Sequence, residues 1–508
     1  MFKNVIVMPL SQALERYIND ISPENVRQTL ARLLRGYSTP AKTAVIESNY
    51  IDIDYSASYY AQRGRSFVPA ERETKRIHFF SQRFTKSSLI EATQNFRKLL
   101  NKSYLGYTVI RPGIPRTLSR TFLSYPEAIE GFPARFPTRA IIQVDLAGIP
   151  LQIESCPYLS QDERVMACAT AALWMSSFPL ASKITGVSQH LTTEITAMAL
   201  SLNRPYGPAI GRRGLDIREM EHAFLTMGFD PQVWTNPLAA ELLDVCHIYT
   251  DSGIPPVLVI EIAGELHAVT VVGFTLDPNL GLVSKTVPKI MSASRFVPHL
   301  ILHDDQGGMY LLADIRKAGN IKYKTELIIR YTTGTSSAHC LALIVPFPAR
   351  VMLDGSAVRV QATEWIRYFK TKKWLRDIPI ICRVFLVKSN SFKEELLKLQ
   401  DDGSTTDTTK YPKGLVNAYR GLAMPRYIWV AEAAYVDSWN GSDPNAPPTI
   451  IDMVFDSTST ETEKLEYLSI HLPGLVVNRQ ITGKRISVES FKIDNDNPHP
   501  PFPNVLRP

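Results

Sequence analysis

The sequence predicts a protein of the α+β class. Three observations support this prediction: an amphipathic helix pattern near the N-terminus, further helical patterns in the middle of the chain, and strand patterns that follow those helices. Helices that precede antiparallel strands, rather than alternate with them, are typical of α+β folds. At 508 residues the chain is longer than one hydrophobic core usually holds, so two or three domains are expected.

The first predicted part, residues 1–135, is an α+β region. Ser22 as the N-cap and Pro23 in the first turn predict a helix that ends at Gly36. Its apolar residues recur at helical spacing: Val26, Leu30, Leu33 and Leu34. Alternating apolar residues at Tyr107–Arg111 then indicate a strand.

The second predicted part, residues 136–320, contains the residues that carry chemistry. Asp216 with Glu219 three residues later is the pattern of a capping box at a helix start. The apolar face of that helix is formed by Ile217, Met220, Ala223, Phe224 and Met227. Val257–Ile262 and a strand that starts at His267 are separated by a short Gly-containing link, which predicts a hairpin.

The third predicted part, residues 321–508, is rich in strands. One helix is expected around Ala362–Phe369, and two polar stretches, 401–410 and 437–448, are expected to be loops. The end, 495–508, is predicted to be a Pro-rich tail. The strand patterns are Glu326–Tyr331, Leu341–Val345 and Arg383–Val387.

Composition predicts a cytoplasmic protein. Hydrophobic residues make up 45% and charged residues 21%, as in soluble globular domains, and neither a secretory signal nor an apolar run of membrane-spanning length is recognisable. The five cysteines form no C-x-x-C pair and no spacing suited to zinc, which favours a reducing compartment and predicts no metal. No cofactor and no membrane contact are expected.

The net charge of +7 is weak support for a nucleic-acid partner, because 56 basic residues stand against 49 acidic ones. The densest basic stretch, Arg63–Lys86, is interleaved with Phe67, Phe79, Phe80 and Phe84, a mixture that could line a nucleic-acid groove. Basic side chains on an ordinary domain surface are the more frequent explanation of such a stretch.

Cys168 is the candidate nucleophile. It opens a predicted helix that continues with small residues, and such a helix can run close beneath a cleft. A thiol at a helix N-terminus beside an imidazole has a lowered pKa, and the thiolate is the reactive form. Taken alone, a buried structural cysteine would be the more common reading.

His267 is the candidate base, and a carboxylate after a third apolar run could orient its ring. The run Leu300–Asp304 ends in two consecutive acids, Asp304 and Asp305. Strand alternation does not choose between them, and Asp304 is preferred because it ends the apolar run directly. Together these residues predict a thiol–imidazole–carboxylate site.

The central third of the chain resembles the papain-like cysteine peptidase superfamily. The resemblance rests on Cys-x-x-Ala-Ala-x-x-Met from Cys168, His-Ala-Val-x-x-Val-Gly-Phe from His267, and the apolar strand that ends at Asp304. Within the superfamily, the chain is most similar to bacterial domains that process bacteriocin leaders. The resemblance implies a helix-borne Cys168 as nucleophile, an antiparallel sheet with His267 as base and acid, and Asp304, or alternatively Asp305, as the orienting residue.

The resemblance also implies an oxyanion-hole glutamine six residues before the cysteine. Gln161 lies seven residues before Cys168, so it matches this position only with a one-residue insertion. The loop Arg204–Gly214 lies between the nucleophile and base segments and is expected to form a wall near the cleft, where its arginines could meet an acidic substrate.

The expected function is therefore bacterial cysteine peptidase activity on a protein or peptide substrate. Two alternatives remain open: acyl transfer or deamidation of the transglutaminase type, and a degenerate papain-like scaffold that binds nucleic acid or a protein. A peptidase held inactive until a partner binds is a further possibility, raised by the large flanking regions.

Overall fold

The computed structural model is mixed α+β, as the sequence predicts. It describes residues 4–61, 67, 71–113, 116–160, 168–201, 214–277, 279–280, 289–319, 322–398, 400, 411, 413–436, 449–460, 467–482 and 485–492. Among these residues, no helix combines the length and apolar character that a bilayer crossing requires. The largest hydrophobic core is continuous from Met8 to Leu472, so it joins all three predicted parts of the chain.

The N-terminal region is a five-stranded antiparallel sheet in sequential order. Its strands are β1 Val5–Pro9, β2 Thr43–Tyr50, β3 Thr74–Phe80, β4 Tyr104–Arg111 and β5 Thr117–Leu123. Its helices are α1 Leu10–Ala13, α2 Glu24–Gly36, α3 Ile53–Ala61, α4 Lys86–Glu91 and α5 Gln94–Ser103. The predicted helix that ends at Gly36 is confirmed, but its predicted cap is wrong: Pro23, in extended conformation, is the N-cap, and its side chain makes no capping hydrogen bond.

A nine-stranded antiparallel sheet forms the centre of the molecule. Its strands are β6 Ala128–Ile129, β7 Phe132–Arg135, β10 Phe229–Thr235, β11 Val257–Ile262, β12 Glu265–Thr275, β14 Leu300–Asp304, β15 Gly308–Lys317, β16 Thr325–Tyr331 and β17 Gly334–Pro348. A separate hairpin is formed by β8 Ala140–Leu146 and β9 Ile149–Ser155. Because β17 pairs with both β16 and β11, the strands β11, β12, β14, β15, β16 and β17 make a closed ring.

The helices of the central region cover this sheet. They are α6 Cys168–Ala181, α7 Thr192–Leu200, α8 Ile217–Thr226 and α9 Ala239–Asp251. The residues of α6 between its two ends are all buried, and the Thr270 hydroxyl on β12 donates a hydrogen bond to the Ala172 carbonyl. This packing fixes α6 against the sheet. The capping box predicted at Asp216 and Glu219 is present at the start of α8.

The predicted hairpin between β11 and β12 is confirmed. Its two-residue link, Ala263 and Gly264, has positive φ at both positions, the geometry whose twist matches that of the flanking strands. β12 starts at Glu265, two residues before the predicted start, because pairing with β11 continues to the turn. His267 is therefore the third residue of its strand and lies opposite Ile260.

Over its described residues, the C-terminal region contains a seven-stranded sheet and three helices. The strands are β13 Ile290–Ser292, β18 Ile380–Lys388, β19 Tyr427–Tyr435, β20 Ile451–Asp456, β21 Tyr467–Leu472, β22 Leu475–Thr482 and β23 Arg485–Lys492. The helices are α10 Gly355–Thr371, α11 Ser389–Lys398 and α12 Lys413–Gly421. β13 comes from the middle of the chain and pairs in parallel with β18.

The central sheet extends past the predicted boundary at residue 320. The strand patterns predicted at 326–331 and 341–345 lie in β16 and β17. β16 pairs with β15 and β17 pairs with β16, so both belong to the central sheet. The three-part division of the chain stays a prediction. The predicted loops at 401–410 and 437–448 and the predicted tail lie outside the described residues.

Candidate active site

Cys168 is the first residue of α6 and lies at the wall of a cleft. Its side chain is partly exposed, whereas the other four cysteines, Cys156, Cys246, Cys340 and Cys382, are buried. All five are free thiols. Cys168 is thus the cysteine that a reagent or substrate can reach from solvent.

His267 lies between this thiol and the carboxylates of Asp304, the last residue of β14, and Asp305, which follows it. Its Nε2 is 2.9 Å from Oδ1 of Asp304, and the Cys168 thiol is within hydrogen-bonding reach of the ring. With Nε2 on the carboxylate side, Nδ1 is the ring nitrogen available to the thiol. The ring is only 8% exposed, so it cannot turn freely toward water.

Four donors hold the Asp304 carboxylate. Oδ1 accepts hydrogen bonds from the backbone amides of Gln306 and Gly307, at 2.9 and 2.8 Å, as well as from His267. Oδ2 accepts the Tyr331 hydroxyl at 2.9 Å. Burial opposes the charged form of Asp304, but the imidazole and the two amides outweigh it and lower the pKa of the carboxyl. Asp304 is therefore charged and fixed in orientation.

Asp305, the neighbouring acid, is in a different environment. Its Oδ1 is 3.5 Å from Nε2 of His267, and neither of its oxygens has a hydrogen-bond partner among the described residues. Burial raises the pKa of this carboxyl to about 7, with the charge of Asp304 adding to the shift and that of His267 opposing it. Asp304 is thus the acid in hydrogen-bond contact with His267, and Asp305 is a second carboxyl close behind it.

The two acids give the imidazole a strong preference for its charged form. Burial alone would lower the pKa of His267, but the charge and hydrogen bond of Asp304, the Cys168 thiol and the charge of Asp305 raise it well above its ordinary value.

Tyr331 and Gly307 complete the support of Asp304, and sequence reasoning missed both. A Cβ at position 307 would lie 2.2 Å from Cε1 of Tyr331 and 2.8 Å from Oδ2 of Asp304, so a side chain there would separate the phenol from the carboxylate. The Gly307-Gly308 pair after the two acids is a turn signal that could have revealed the β14–β15 turn. Nothing local in sequence marks Tyr331, which the pairing of β16 with β15 brings to the site.

The backbone of the two acids is held from the N-terminal side. The Tyr158 hydroxyl lies 3.2 and 3.3 Å from the carbonyls of Asp304 and Asp305, and the Ser160 hydroxyl donates to the Asp305 carbonyl at 2.9 Å. Arg111 at the end of β4 donates in turn to the Ser160 carbonyl. The N-terminal sheet therefore helps to position the carboxylates.

The cleft in front of Cys168 has a volume of about 550 Å³. Its lining comes from the N-terminal region, the start of α6, the segment before α8, the β11–β12 hairpin and the β14–β16 strands with their turns. The residues are Pro23, Asn25, Cys168, Gly214, Ile262, Glu265, Leu266, His267, Asp304, Gln306, Gly307 and Tyr331. A space of this size accepts a few residues of an extended peptide.

One wall of the cleft comes from the start of α2. Oδ1 of Asn25 accepts the hydroxyls of Thr332 and Thr333, at 3.1 and 2.8 Å, which ties α2 to the turn after β16. Further along α2, Thr29 packs against the β14–β15 turn so closely that a Cβ at Gly308 would lie 2.6 Å from its hydroxyl oxygen. The N-terminal region is thus part of the site.

His267, Asp304 and Asp305 also present one ligand atom each within 4.8 Å of one another, a spacing that a divalent cation can bridge. Oδ1 of Asp304, however, already accepts three N–H groups, and a cation at Nε2 would displace the proton shared with this oxygen. The hydrogen bonds fit an oriented imidazole better than a metal centre.

Two other predicted features lie wholly or partly outside the described residues. Gln161, the proposed oxyanion donor, is one of them. Of the predicted loop Arg204–Gly214, only Gly214 is described, and it lines the cleft.

Among the four phenylalanines of the basic stretch Arg63–Lys86, Phe67 alone is fully exposed. Phe79 and Phe80 are buried in the core, since they lie on β3 in the middle of the N-terminal sheet. Phe84 packs edge to face on Phe80. Arg63 lies outside the described residues.

Comparison of the chain with protein-family models and with proteins of curated function returns no match.

Proposed function

We propose that the chain is a cysteine peptidase of the papain-like type, acting on a protein or peptide substrate. The observation that carries the proposal is the position of His267. On one side its ring meets Cys168, the one cysteine of the five whose thiol is partly exposed. On the other side it meets the Asp304 carboxylate, whose two oxygens both accept hydrogen bonds. The cleft beside them admits a peptide. The antiparallel sheet that bears His267 and Asp304, packed against the Cys168 helix, is the architecture expected of a papain-like core.

In the first step, the thiolate of Cys168 attacks the carbonyl carbon of the scissile bond. The amides in the first turn of a helix have no intrahelical acceptor, so the backbone N–H of Cys168 can donate to the developing oxyanion. The C–N bond then breaks, the leaving amine takes the proton from His267, and a thioester to Cys168 remains. Asp304 keeps the ring oriented and stabilises its charge.

In the second step, water attacks the thioester. Neutral His267 takes a proton from the water, the C–S bond breaks, and the carboxylic acid product leaves while the thiolate–imidazolium pair is restored. If an amine attacks in place of water, the same residues perform acyl transfer, and if the substrate is a glutamine side chain, they perform deamidation. The oxyanion role of Gln161, a cytoplasmic location and a bacterial origin belong to the same proposal.

The first test is site-selective alkylation. Iodoacetamide at neutral pH should label the native protein once, at Cys168, because the other four thiols are buried. Cys168→Ala should abolish the labelling, and the matched control Cys382→Ala should retain it. Labelling of Cys168→Ala equal to that of the wild type would remove Cys168 from the mechanism.

The second test is cleavage of a peptide library, read by mass spectrometry. Cleavage should be lost in both Cys168→Ala and His267→Gln and should be unaffected by EDTA. Cleavage that persists in Cys168→Ala, or that EDTA abolishes, would contradict the proposal. Adding a primary amine separates the alternatives, since a stable amide product would favour transfer and its absence hydrolysis. A labelled thiol in a protein that cleaves no member of the library would favour the degenerate scaffold.

A further inference from the structure

A column of three aromatic rings stands at the C-terminal end of α10, on the C-terminal region of the molecule. Trp365 stacks on Phe369 with ring centroids 5.7 Å apart, and Phe369 stacks on Trp374 at 5.8 Å. The interplanar angles are 26° and 19°, so the three rings are nearly parallel. The last ring of the column, Trp374, is 57% exposed.

The end of the helix holds Trp374 in place. Lys373 adopts a left-handed conformation, with φ of +57°, and the amide of Trp374 donates to the Phe369 carbonyl at 3.1 Å. This turn folds the chain back onto α10 and sets the indole on Phe369. Tyr368 meets the indole at 85° and is itself half exposed. The indole is thus fixed, yet more than half of its surface faces solvent.

Basic residues precede this ring in the chain. Lys372 and Lys373 are exposed, and Nζ of Lys372 lies 5.5 Å from the centre of the Tyr368 ring. Arg367 is exposed on the same turn of α10 as Tyr368. The nearby acid Asp377 is shared by Lys289 and Lys370, so it does not neutralise the lysines beside the indole. We call Tyr368, Lys372, Lys373 and Trp374 the aromatic–basic patch.

An exposed indole fixed on one face among lysines contributes little to folding, because its outer surface is not removed from water. Two ligands can use such a surface: a nucleic-acid strand, whose bases stack on flat rings and whose phosphates meet the lysines, and an anionic membrane, into which an indole inserts. Stacking needs an accessible ring held at a fixed angle, whereas insertion needs a broad apolar face. Phe369 supports the ring from beneath, and the surrounding residues are charged rather than apolar, which favours stacking.

We propose that the aromatic–basic patch binds single-stranded nucleic acid, with one base stacked on Trp374 as the next member of the column and the adjacent phosphates on Lys372 and Lys373. The proposal is independent of the peptidase chemistry, since none of the patch residues lines the cleft at Cys168. It also involves no residue of the N-terminal basic stretch, where Phe79, Phe80 and Phe84 are packed and Phe67 is exposed. The expected recognition is tolerant of sequence, because every base has a flat face.

The test is fluorescence anisotropy of a labelled twenty-nucleotide oligothymidylate and its RNA counterpart with the full chain at low salt. We expect binding that weakens as salt rises, about tenfold weaker binding for Trp374→Ala, and a similar loss for the double variant Lys372→Glu/Lys373→Glu. The matched control is Lys98→Glu/Lys102→Glu, which makes the same charge change at two exposed lysines on α5 and should bind as the wild type does. Circular dichroism and thermal unfolding of each variant separate lost binding from lost folding.

Three outcomes would overturn the proposal: no binding of either oligonucleotide at low salt, equal losses in the patch and control double variants, or unchanged affinity in Trp374→Ala. Binding to vesicles containing phosphatidylserine, lost in Trp374→Ala and unaccompanied by oligonucleotide binding, would instead identify the patch as a membrane contact. Iodoacetamide labelling of Cys168 in Trp374→Ala should equal that of the wild type, so the failure of this proposal and the failure of the peptidase proposal are distinguishable.

Discussion

Two histidine–carboxylate pairs, one in the N-terminal sheet and one at the cleft, have the same nitrogen–oxygen distance, but the pKa values of their histidines are shifted in opposite directions. Nε2 of His78 lies 2.9 Å from Oε2 of Glu47, as Nε2 of His267 lies 2.9 Å from Oδ1 of Asp304. Yet the pKa of His78 is lowered and that of His267 is raised well above its ordinary value. The distance between the partners therefore does not determine the charge of the ring.

The competing cation explains the difference. Burial lowers the pKa of His78, and Arg76, which also bonds Glu47, adds its own positive charge beside the ring. The charge of Glu47 is thus offset by the guanidinium of Arg76 and does not hold a proton on His78. At the cleft, the described neighbours of Asp304 that bond it are neutral donors apart from His267, and Asp305 contributes a second carboxyl.

The other ring nitrogen differs as well. Nδ1 of His78 lies 2.9 Å from the Tyr104 hydroxyl in a fully buried site, so both nitrogens are engaged within the sheet. His267 meets a thiol at the wall of a cleft. The first pair lies within a sheet, and in the proposed mechanism the second moves a proton.

The largest expected contrast is between Asp304→Asn and Glu47→Gln. An amide at position 304 keeps the shape but removes the charge that stabilises the imidazolium, so kcat/KM for peptide cleavage should fall by about 10²- to 10⁴-fold. Glu47→Gln should leave kcat/KM within about twofold of the wild type. Initial rates on one cleaved peptide, measured for both variants, make the comparison.

Glu47→Gln should instead lower the stability of the folded protein. Its loss leaves Arg76 and His78 without their shared partner, and urea unfolding should show a cost of about 1–3 kcal/mol. Should Glu47→Gln lose activity as severely as Asp304→Asn while remaining folded, the distinction between the two pairs would be wrong.

A smaller contrast is expected between the two phenols, Tyr331→Phe and Tyr104→Phe. Removing the Tyr331 hydroxyl leaves Oδ2 of Asp304 without this hydrogen bond, so the carboxylate should orient the His267 imidazole less firmly. We expect kcat to fall by about tenfold with little change in KM. Tyr104→Phe removes a hydrogen bond from His78 and should affect only stability, by about 1 kcal/mol. Steady-state kinetics and urea unfolding of both variants provide the test, and equal kcat values for the two would exclude a positioning role for Tyr331.

These contrasts also show what the sequence could reveal. Cys168, His267 and the two acids were recognisable because each belongs to a local pattern, a helix start, a strand and a strand end. The α+β class and the β11–β12 hairpin were likewise predictable from periodicity and a short turn. Patterns of this kind are set by residues close in sequence, so they can be recognised without knowing which distant elements pair.

Tyr331, Asn25 and the closure of the central ring of strands were not predictable in this way. Each depends on which distant strands pair: Tyr331 reaches Asp304 through β15 and β16, and Asn25 reaches Thr332 across most of the chain. The same limit explains the basic stretch before Lys86, where alternation did not reveal that both faces of β3 are covered at Phe79 and Phe80.

Asp305→Asn is expected to change the pH profile more than the maximal rate. Asp305 lies 3.5 Å from Nε2 of His267, so its ionised form stabilises the imidazolium that protonates the leaving amine in the proposed mechanism. Because the pKa of Asp305 is about 7, this charge is present mainly above neutral pH. Without it, the pKa of His267 should fall, and the alkaline limb of the cleavage profile should move down by about one pH unit.

Below about pH 6 the variant and the wild type should cleave at similar rates, because Asp305 then carries its proton in the wild type. The measurement is kcat/KM for one peptide from pH 5 to 10. An unmoved alkaline limb would mean that the charge of Asp305 does not reach the ring.

The smallest effects concern stability against pH, and the two histidines should give opposite slopes. The folded pKa of His78 is lowered, so its contribution to stability is present above its unfolded pKa of about 6.5 and is lost as the pH falls toward the folded value. The folded pKa of His267 is raised, so its contribution is complete below about 6.5 and is lost as the pH rises toward the folded value. Each slope is limited to about 1.4 kcal/mol per pH unit.

Urea unfolding of His78→Gln and His267→Gln between pH 5.5 and 8.5 tests the predicted slopes of stability against pH. His267→Gln is made in the Asp305→Asn variant and compared with that variant, so that Asp305 does not titrate in the same range. The destabilisation by His78→Gln should shrink as the pH falls, because the unfolded wild type takes up a proton that its folded form resists. The destabilisation by His267→Gln should shrink as the pH rises, because the folded protein then gives up the proton that the carboxylates hold. Slopes of the same sign would show that the pKa values of His78 and His267 are shifted in the same direction. The proposal that His267 is charged at the cleft would then be contradicted.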